Sequence, residues 1–424
     1  MANRRATIAT VLLLAVGGAG GVLADDTTFD LGGRVRPQFV FTGYPDNSIF
    51  RDVFGSTSED LNLDARVVLG MDHGRWSVDV DYQFIALYGD RVEFSRELPE
   101  ELRILYPHLP TDRTRLFDLT WVLNDSGRTA AINRLDRLSV GYTTDKVVVK
   151  FGRQAISWGN GLIYNAMDIF NPFDPAAVDK EYKTGDDMLY GQYLRDSGDD
   201  LQGVVVFRRN IMTGDVEADA SSLAFKYHGM VGAGEYDALV SRHYGDTLVG
   251  VGGNRSIGGA VWQGDLVVTL NEDATVPSLV TNLSYSWTWG GKNFSGVAEY
   301  FYNGFGQADG CYSLECLSKN PELLNRIARG ELFTLGRNYV ALSAMIEIHP
   351  LFTLTPNLFT NLGDPSALFQ VLFQIDPRES LVLLSSVNLP IGADGTEFGG
   401  LSTEVPGLYL STGPSVFLQL GWYW

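Results

Sequence analysis

Two chemistries are open to the titratable residues of this chain, and the spacing separates them. Bond-making chemistry needs a nucleophile, a base and an orienting group within reach of one another. The five histidines, His73, His108, His228, His243 and His349, are scattered. His228 and His243 could act as bases and Asp186-Asp187 as an acidic pair, but no nucleophile stands in a recognisable motif. The histidines show no metal-ligand spacing, and Cys311 and Cys316 lack the further ligands that zinc requires. With four residues between them, these cysteines would instead close a small surface loop as a disulfide in an exported chain. Gly250–Gly259 lacks GxGxxG spacing and reads as strand glycine. No cofactor is expected.

The other chemistry is electrostatic selection. Arg34, Arg36, Arg66, Asp79, Asp81, Arg137, Lys150, Arg208, Lys226 and Glu299 sit at positions alternating with apolar residues, as do Asp64, Asp118 and Glu347. If the apolar parity faces lipid, these residues line a lumen. A dry core would not hold so many charges, since each costs several kcal/mol when unpaired. A water-filled channel would hold them, and rings of lumen charge would then select solutes. Pairing across strands is the competing account. Cations are denser in the N-terminal half, which favours an anionic or hydroxyl-rich solute.

The elements that position these charges are long alternating strands. Leu31, Gly33, Val35, Pro37, Phe39 and Phe41 share one face, with Arg34, Arg36 and Gln38 between them. Leu61–Met71 and Trp76–Phe84 repeat the pattern around the turn Asp72–Arg75, and Leu283–Trp289 and Phe294–Tyr302 repeat it around Gly290–Asn293. Each segment is about ten residues or longer, the ~9–11 that a tilted strand needs to cross a bilayer. Aromatic residues gather near strand ends, at Trp287/Trp289, Tyr300/Tyr302 and Trp422/Trp424, as at a membrane interface. In the last strand Val416, Leu418, Leu420, Trp422 and Trp424 share one face and the final residue is aromatic. That pattern resembles the insertion signal of bacterial outer-membrane barrels.

Composition and leader agree with export. The chain has 424 residues and a formal net charge of −19, with 45% apolar, 12% aromatic and 20% charged residues. The acidic excess argues against a nucleic-acid partner, and the plentiful apolar side chains argue against disorder. Residues 1–24 read as a secretory signal peptide: Arg4 and Arg5, the apolar run Ile8–Val16, then small residues ending Val22-Leu23-Ala24. Their removal takes away two Arg and no acid, moving the charge from −19 to −21. Residues 25–424 then form one barrel. No other stretch reaches 18 apolar residues, so a barrel is the remaining way to span a membrane.

Turn lengths give a topology. Short turns at 72–75, 290–293, 349–352 and 376–379 fall on the side of the termini, and long connectors at 43–58, 88–112, 303–336 and 389–408 fall on the other. A raw count gives about 19 strands, and closure favours an even number. An extra strand in Arg91–Leu109 would contain Pro99 and Pro107. The expected fold is therefore an all-β transmembrane antiparallel β-barrel of about 18 strands, with 113–123 as an extension outside the membrane.

The connector within Lys150–Lys183 is long and carries apolar aromatics. Arg153, Gln154, Trp158, Tyr164 and Phe170 are its constriction candidates. Folding into the lumen or packing over the outer mouth would each shield it from water. Gly152-Arg153-Gln154, Trp158-Gly159 and Asn171-Pro172 resemble the signature of porin-like outer-membrane families, including alginate-export-type barrels. The runs Glu299–Gly304 and Glu397–Gly400 are similar to that group as well. The resemblance implies an outer-membrane diffusion channel of about 18 strands.

The sequence thus predicts a porin-like channel of the bacterial outer membrane that passes small hydrophilic solutes, anionic or sugar-like. Its partners would be outer-membrane lipid, the barrel-assembly machinery acting on the C-terminal strand, and the solute. A barrel enzyme and a transporter of hydrophobic compounds are the alternatives. The missing catalytic set and the charged inner parity respectively weigh against them.

Overall fold

A computed structural model describes residues 27–97 and 109–424. The leader, Pro99, Pro107 and His108 lie outside the described residues. The first strands are β1 (Thr27–Gly43), β2 (Thr57–His73), β3 (Trp76–Gly89), β4 (Thr120–Ser126), β5 (Thr129–Thr143), β6 (Val147–Gln154) and β7 (Asp186–Leu194). Next come β8 (Asp200–Val206), β9 (Ser222–Val231), β10 (Gly234–His243), β11 (Asp246–Ile257), β12 (Ala260–Leu270), β13 (Thr275–Trp289) and β14 (Lys292–Tyr302). The last are β15 (Asn338–His349), β16 (Phe352–Asn361), β17 (Ser366–Arg378), β18 (Leu381–Ile391), the small pair β19 (Leu401–Ser402) and β20 (Tyr409–Leu410), and β21 (Ser415–Tyr423).

Nineteen strands form one antiparallel sheet. Strand β4 pairs only with β5 and is a spur; without it, eighteen strands close the barrel. Closure comes from β1, which pairs with β2 on one edge and β21 on the other. Closure leaves the eighteen wall strands with a partner on each side, so their backbone groups are satisfied between strands. The 113–123 stretch divides: 120–123 opens the spur, and 113–119 is an irregular segment before it.

Connections at the two ends differ in length. At the end carrying Thr27 and Trp424 they are short turns. Gly290 and Gly291 at one of them both have positive φ, 57° and 74°, the geometry a two-residue hairpin needs. At the other end lie 44–56, 90–97, 109–119, 155–185, 207–221, 303–337 and 392–414. Among the described residues no helix is long and apolar enough to cross a membrane, which leaves the strands to be considered.

Outside, the wall exposes apolar residues at alternate positions, such as Leu31, Val140, Phe225, Leu283 and Leu418. Aromatics form a band near the short turns: Trp76 against Tyr142, Trp287 against Phe294, and Trp422 against Trp424. Such a belt and girdle are what a bilayer selects.

Candidate functional site: a connector inside a charged barrel

The 155–185 connector contacts inward-facing residues on strands around the barrel. Trp158 Nε1 donates to Gln202 on β8 at 2.7 Å. Asn160 donates through its side chain to Asp237 on β10 and Asp265 on β12, and through its backbone to Asp265. The Glu299 carboxylate on β14 accepts the backbone N–H groups of Leu162, Ile163 and Tyr164. Gln370 on β17 donates to the Ala176 carbonyl at 2.9 Å. Of the two packing sites foreseen for this connector, the interior is the one it occupies.

Its last residues enter the cationic sector of the wall. Arg34 and Arg36 project from β1, Arg66 from β2 and Arg137 from β5. Asp179 and Glu181 of the connector pair with Arg36 at 2.6 and 3.0 Å, and Glu181 pairs with Arg34 at 2.7 Å. Tyr182 lies against three guanidinium groups, those of Arg66 (3.4 Å), Arg137 (4.4 Å) and Arg34 (5.1 Å), and its hydroxyl donates to Asp81. Cations over an aromatic face are attracted by its quadrupole.

Six of the ten lumen candidates are buried. Arg66 and Glu299 are each 2% exposed, and Arg34, Arg36, Asp81 and Arg208 are buried as well. Asp79 and Lys150, paired at 3.1 Å, keep side-chain exposures of 42% and 35%. Lys226 pairs with Asp237 at 3.0 Å. Arg208 follows β8 rather than lying on it, and pairs with Asp186 at 2.6 Å. Asp118 departs from its expected place: it is exposed in the irregular segment before β4.

Water and pairing across strands were the two accounts of the inner charges; ion pairs and the connector's own polar groups hold most of them. The inner parity was read as charged and polar. Instead Met188, Val204, Val206, Ala224 and Leu239 of β7–β10 are buried inside, against Trp158, Met167 and Phe170 of the connector. Tyr164 stacks on Phe301 with centroids 4.9 Å apart, in a second apolar cluster with Tyr339 and Phe359. This packing, with the Glu299 and Asn160 bonds, explains how an aromatic connector is stable inside a barrel.

Arg153 and Gln154 belong to the wall and not to the connector, since both end β6. Gly152 has φ 124°, and a Cβ there would meet the Leu138 carbonyl at 2.1 Å, so this position requires glycine. Arg153 is 1% exposed. It bonds both Asp187 oxygens and both Asp112 oxygens at 2.8–3.0 Å, and donates to the Phe117 carbonyl at 2.7 Å. The Gly-Arg-Gln run is therefore a wall joint: it ends β6 and fastens the 109–119 segment to β7.

Several site residues lacked a readable signal in the sequence. Asp136 receives Arg66, Arg134 and Arg137. Strict alternation puts Asp136 and Arg137 on opposite faces, but a bulge opposite Asp81 and Tyr82 leaves Asp136 without a register partner and turns both inward. Asp179, Glu181 and Tyr182 lie in an irregular segment with no periodicity to read.

Within the connector, burial pushes the Asp168 carboxyl up to about 6, although Lys183 Nζ sits 2.6–2.7 Å from both its oxygens. Burial pushes Lys183 down. At neutral pH the pair is an ionic staple between the two halves of the connector. Glu397, in the 392–414 connector, is pushed up to about 7 by burial. Its carboxylate accepts from Leu335 N at 2.8 Å, from Asn361 Nδ2 at 2.7 Å and from the Tyr339 hydroxyl.

Ser222, His243 and Glu331 form a hydrogen-bonded row at 2.8 and 3.3 Å. Ser222 is buried and its oxygen already accepts from Arg208 Nη1 at 2.7 Å; the row joins the 303–337 connector to β9 and β10. Among the described residues no group of three or more His, Cys, Asp or Glu is placed to hold a metal. Cys311 and Cys316 form a disulfide in the 303–337 connector. In the last strand Leu418, Leu420, Trp422 and Trp424 are exposed on the outer face, with Val416 half-buried in the same parity.

No protein-family model matches the chain, and no curated protein matches it. Solved barrels do match in fold. OccAB2 of Acinetobacter baumannii has a TM-score of 0.52 at 9% identity, covering 95% of this chain and 99% of its own. A BenF-like porin from Pseudomonas fluorescens Pf-5 has a TM-score of 0.51 at 8% identity, covering 95% and 100%. Wzi, an Escherichia coli outer-membrane protein described as a carbohydrate-binding β-barrel, has a TM-score of 0.50 at 11% identity, covering 97% and 87%.

Proposed function

We propose that the chain is a porin-like channel of a bacterial outer membrane for small hydrophilic solutes, anionic ones favoured. The observation that carries this reading is the Arg34–Arg36–Arg66–Arg137 sector, met by a connector segment whose Glu181 side chain remains 43% exposed. The closed barrel, its apolar belt and the fold shared with solved porins support the membrane setting. The 152–172 resemblance agrees with it. The conduit follows the polar sector of β1–β3, β5, β6, β17, β18 and β21, because β7–β16 are packed against the connector. Segment 174–182 is the constriction. Proteoliposome swelling tests it: small organic anions and sugars should enter faster with the protein than without it. Rates equal to empty liposomes would overturn the reading.

A second reading is a sealed barrel that binds carbohydrate. The burial of Met167, Phe170 and Tyr339 at 0–2% in the interior favours it. Oligosaccharide binding without swelling would select it.

A further inference from the structure

Among the described residues, the ion pairs of the cationic sector balance only when the connector is counted. Arg34, Arg36, Arg66, Arg134 and Arg137 project from β1, β2 and β5. The wall itself answers them with three carboxylates. Asp64 stands 3.5 Å from Arg36, and Asp81 stands 3.7 Å from Arg66. Asp136 lies among Arg66, Arg134 and Arg137 at 2.7–3.3 Å. Asp179 and Glu181 of the connector supply the other two acids. The bare wall would therefore set five arginines against three acids, and the connector makes up the difference.

The two connector acids act as one unit. Asp179 Oδ1 accepts the Glu181 backbone N–H at 3.0 Å, a local turn that brings the two carboxylates together. Asp179 Oδ2 and Glu181 Oε2 then share a single nitrogen, Arg36 Nη1, at 2.6 and 3.0 Å, while Glu181 Oε1 accepts from Arg34 Nη1 at 2.7 Å. This tethered pair uses the arginines incompletely. Arg34 and Arg36 are only 6% and 4% exposed. Arg34 Nε and Nη2 and Arg36 Nε are buried and make no hydrogen bond among the described residues. An untethered carboxylate can meet a guanidinium fork through two parallel bonds, a stronger contact than one. The segment is also lightly held. Among the described residues, the hydrogen bonds and ion pairs that tie 177–181 to the wall all run through these two carboxylates, to Arg34, Arg36 and the Tyr423 hydroxyl. The Glu181 side chain is 43% exposed, so a dissolved anion reaches the pair from its wet side.

We propose that Asp179 and Glu181 are a tethered stand-in for the solute: a small dicarboxylate displaces them from Arg34 and Arg36, frees segment 177–181 from the wall and so widens its own path. This deepens the channel reading and rests on it. A tethered acid competes as an intramolecular ligand at high effective concentration. A solute with two carboxylates replaces both of its contacts, whereas one with a single carboxylate leaves an arginine unanswered.

The test uses the full chain in detergent, with succinate as the probe and butyrate as its single-carboxylate counterpart. Calorimetry should show tighter binding of succinate than of butyrate. Succinate should speed amide exchange in 177–181 severalfold and leave 162–164, held by Glu299, unchanged. Asp179→Asn/Glu181→Gln removes the tethered acids and leaves the wall intact. It should bind succinate at least about tenfold more tightly, because the site is no longer self-occupied. Loss of negative charge attracts any anion, so exchange in the wild type is the deciding readout. Succinate that leaves exchange in 177–181 unchanged, or slows it, would overturn the proposal, as would equal binding of the two probes or no binding of either. Liposome swelling separates the two readings. Displacement in detergent with no solute entry would sink the channel reading, and entry of solutes with no displacement would sink the stand-in alone.

Discussion

Arg34 on β1 donates its Nη1 to Glu181 of the interior connector at 2.7 Å, across 147 residues of sequence. The arginine is buried and the carboxylate is 43% exposed. The same carboxylate accepts from Arg36 and from the Tyr423 hydroxyl. The connector therefore supplies an anion to the cationic sector, at a place open to water. Replacing it by Glu181→Gln should leave Arg34 and Arg36 less neutralised and raise the anion-to-cation permeability ratio. The expected change is roughly two- to tenfold, corresponding to about 0.4–1.4 kcal/mol of barrier. Arg34→Gln/Arg36→Gln should move the ratio the other way. Reversal potentials in a salt gradient read both, and no shift in either variant would remove this sector as the filter.

The hold on the connector from the opposite wall should be separable from selectivity. Glu299→Ala removes the acceptor of three consecutive backbone N–H groups, Leu162, Ile163 and Tyr164. Hydrogen bonds to charged groups contribute about 1.5–3 kcal/mol each, and orphaned buried donors add a penalty. Amide exchange at 162–164 should accelerate by at least about tenfold, the factor that 1.4 kcal/mol gives, while exchange in β14 stays slow. Unchanged exchange at 162–164 would show that aromatic packing alone holds the connector.

Arg153 should matter for the stability of the wall more than for solute choice. Arg153→Ala leaves Asp112 and Asp187 buried without their shared partner, a loss of about 3–5 kcal/mol for a broken buried pair. Arg153→Lys should rescue little, because one ammonium cannot reproduce the planar fork that spans two carboxylates. Urea-induced unfolding in detergent measures both. A wild-type midpoint for either variant would contradict the wall-joint role.

Closure of the outer connectors should weaken with rising pH. Burial pushes Glu397 up to about 7, above the ordinary value of 4.5 that it has when the connector is open. A raised carboxyl favours the buried form fully below the ordinary value, and that contribution is lost as pH rises toward 7. Hydrogen exchange in 392–414 should therefore be slower at pH 5 than at pH 8 after correction for intrinsic rates. Glu397→Gln should flatten the difference; a variant as pH-dependent as the wild type would assign the effect elsewhere.

Much of the wall was legible because lipid on one side and charge on the other enforce a two-residue period. Arg34 and Arg36 alternate with Val35 and Pro37, and the structure turns these pairs as the pattern requires. Legibility failed where the period carries no contrast. In β7–β10 both faces are apolar, as with inward Val204 beside outward Val205 and inward Leu239 beside outward Val240, so the inner apolar wall had no signature. It failed again at Asp136, where one inserted residue reverses parity. The partners of the arginine sector, Asp179, Glu181 and Tyr182, were hidden because an irregular connector is ordered by what it touches. Arg153 was readable as special but not as a wall joint, since its partners Asp112 and Asp187 are distant in sequence.

This barrel is expected to conduct despite its filled interior. Single-channel recording of the purified protein in planar bilayers tests that most directly. Discrete, small-amplitude conductance steps are expected, larger in the Glu299→Ala variant whose connector is loosened. A barrel that inserts and stays silent, in wild type and variant alike, would contradict it.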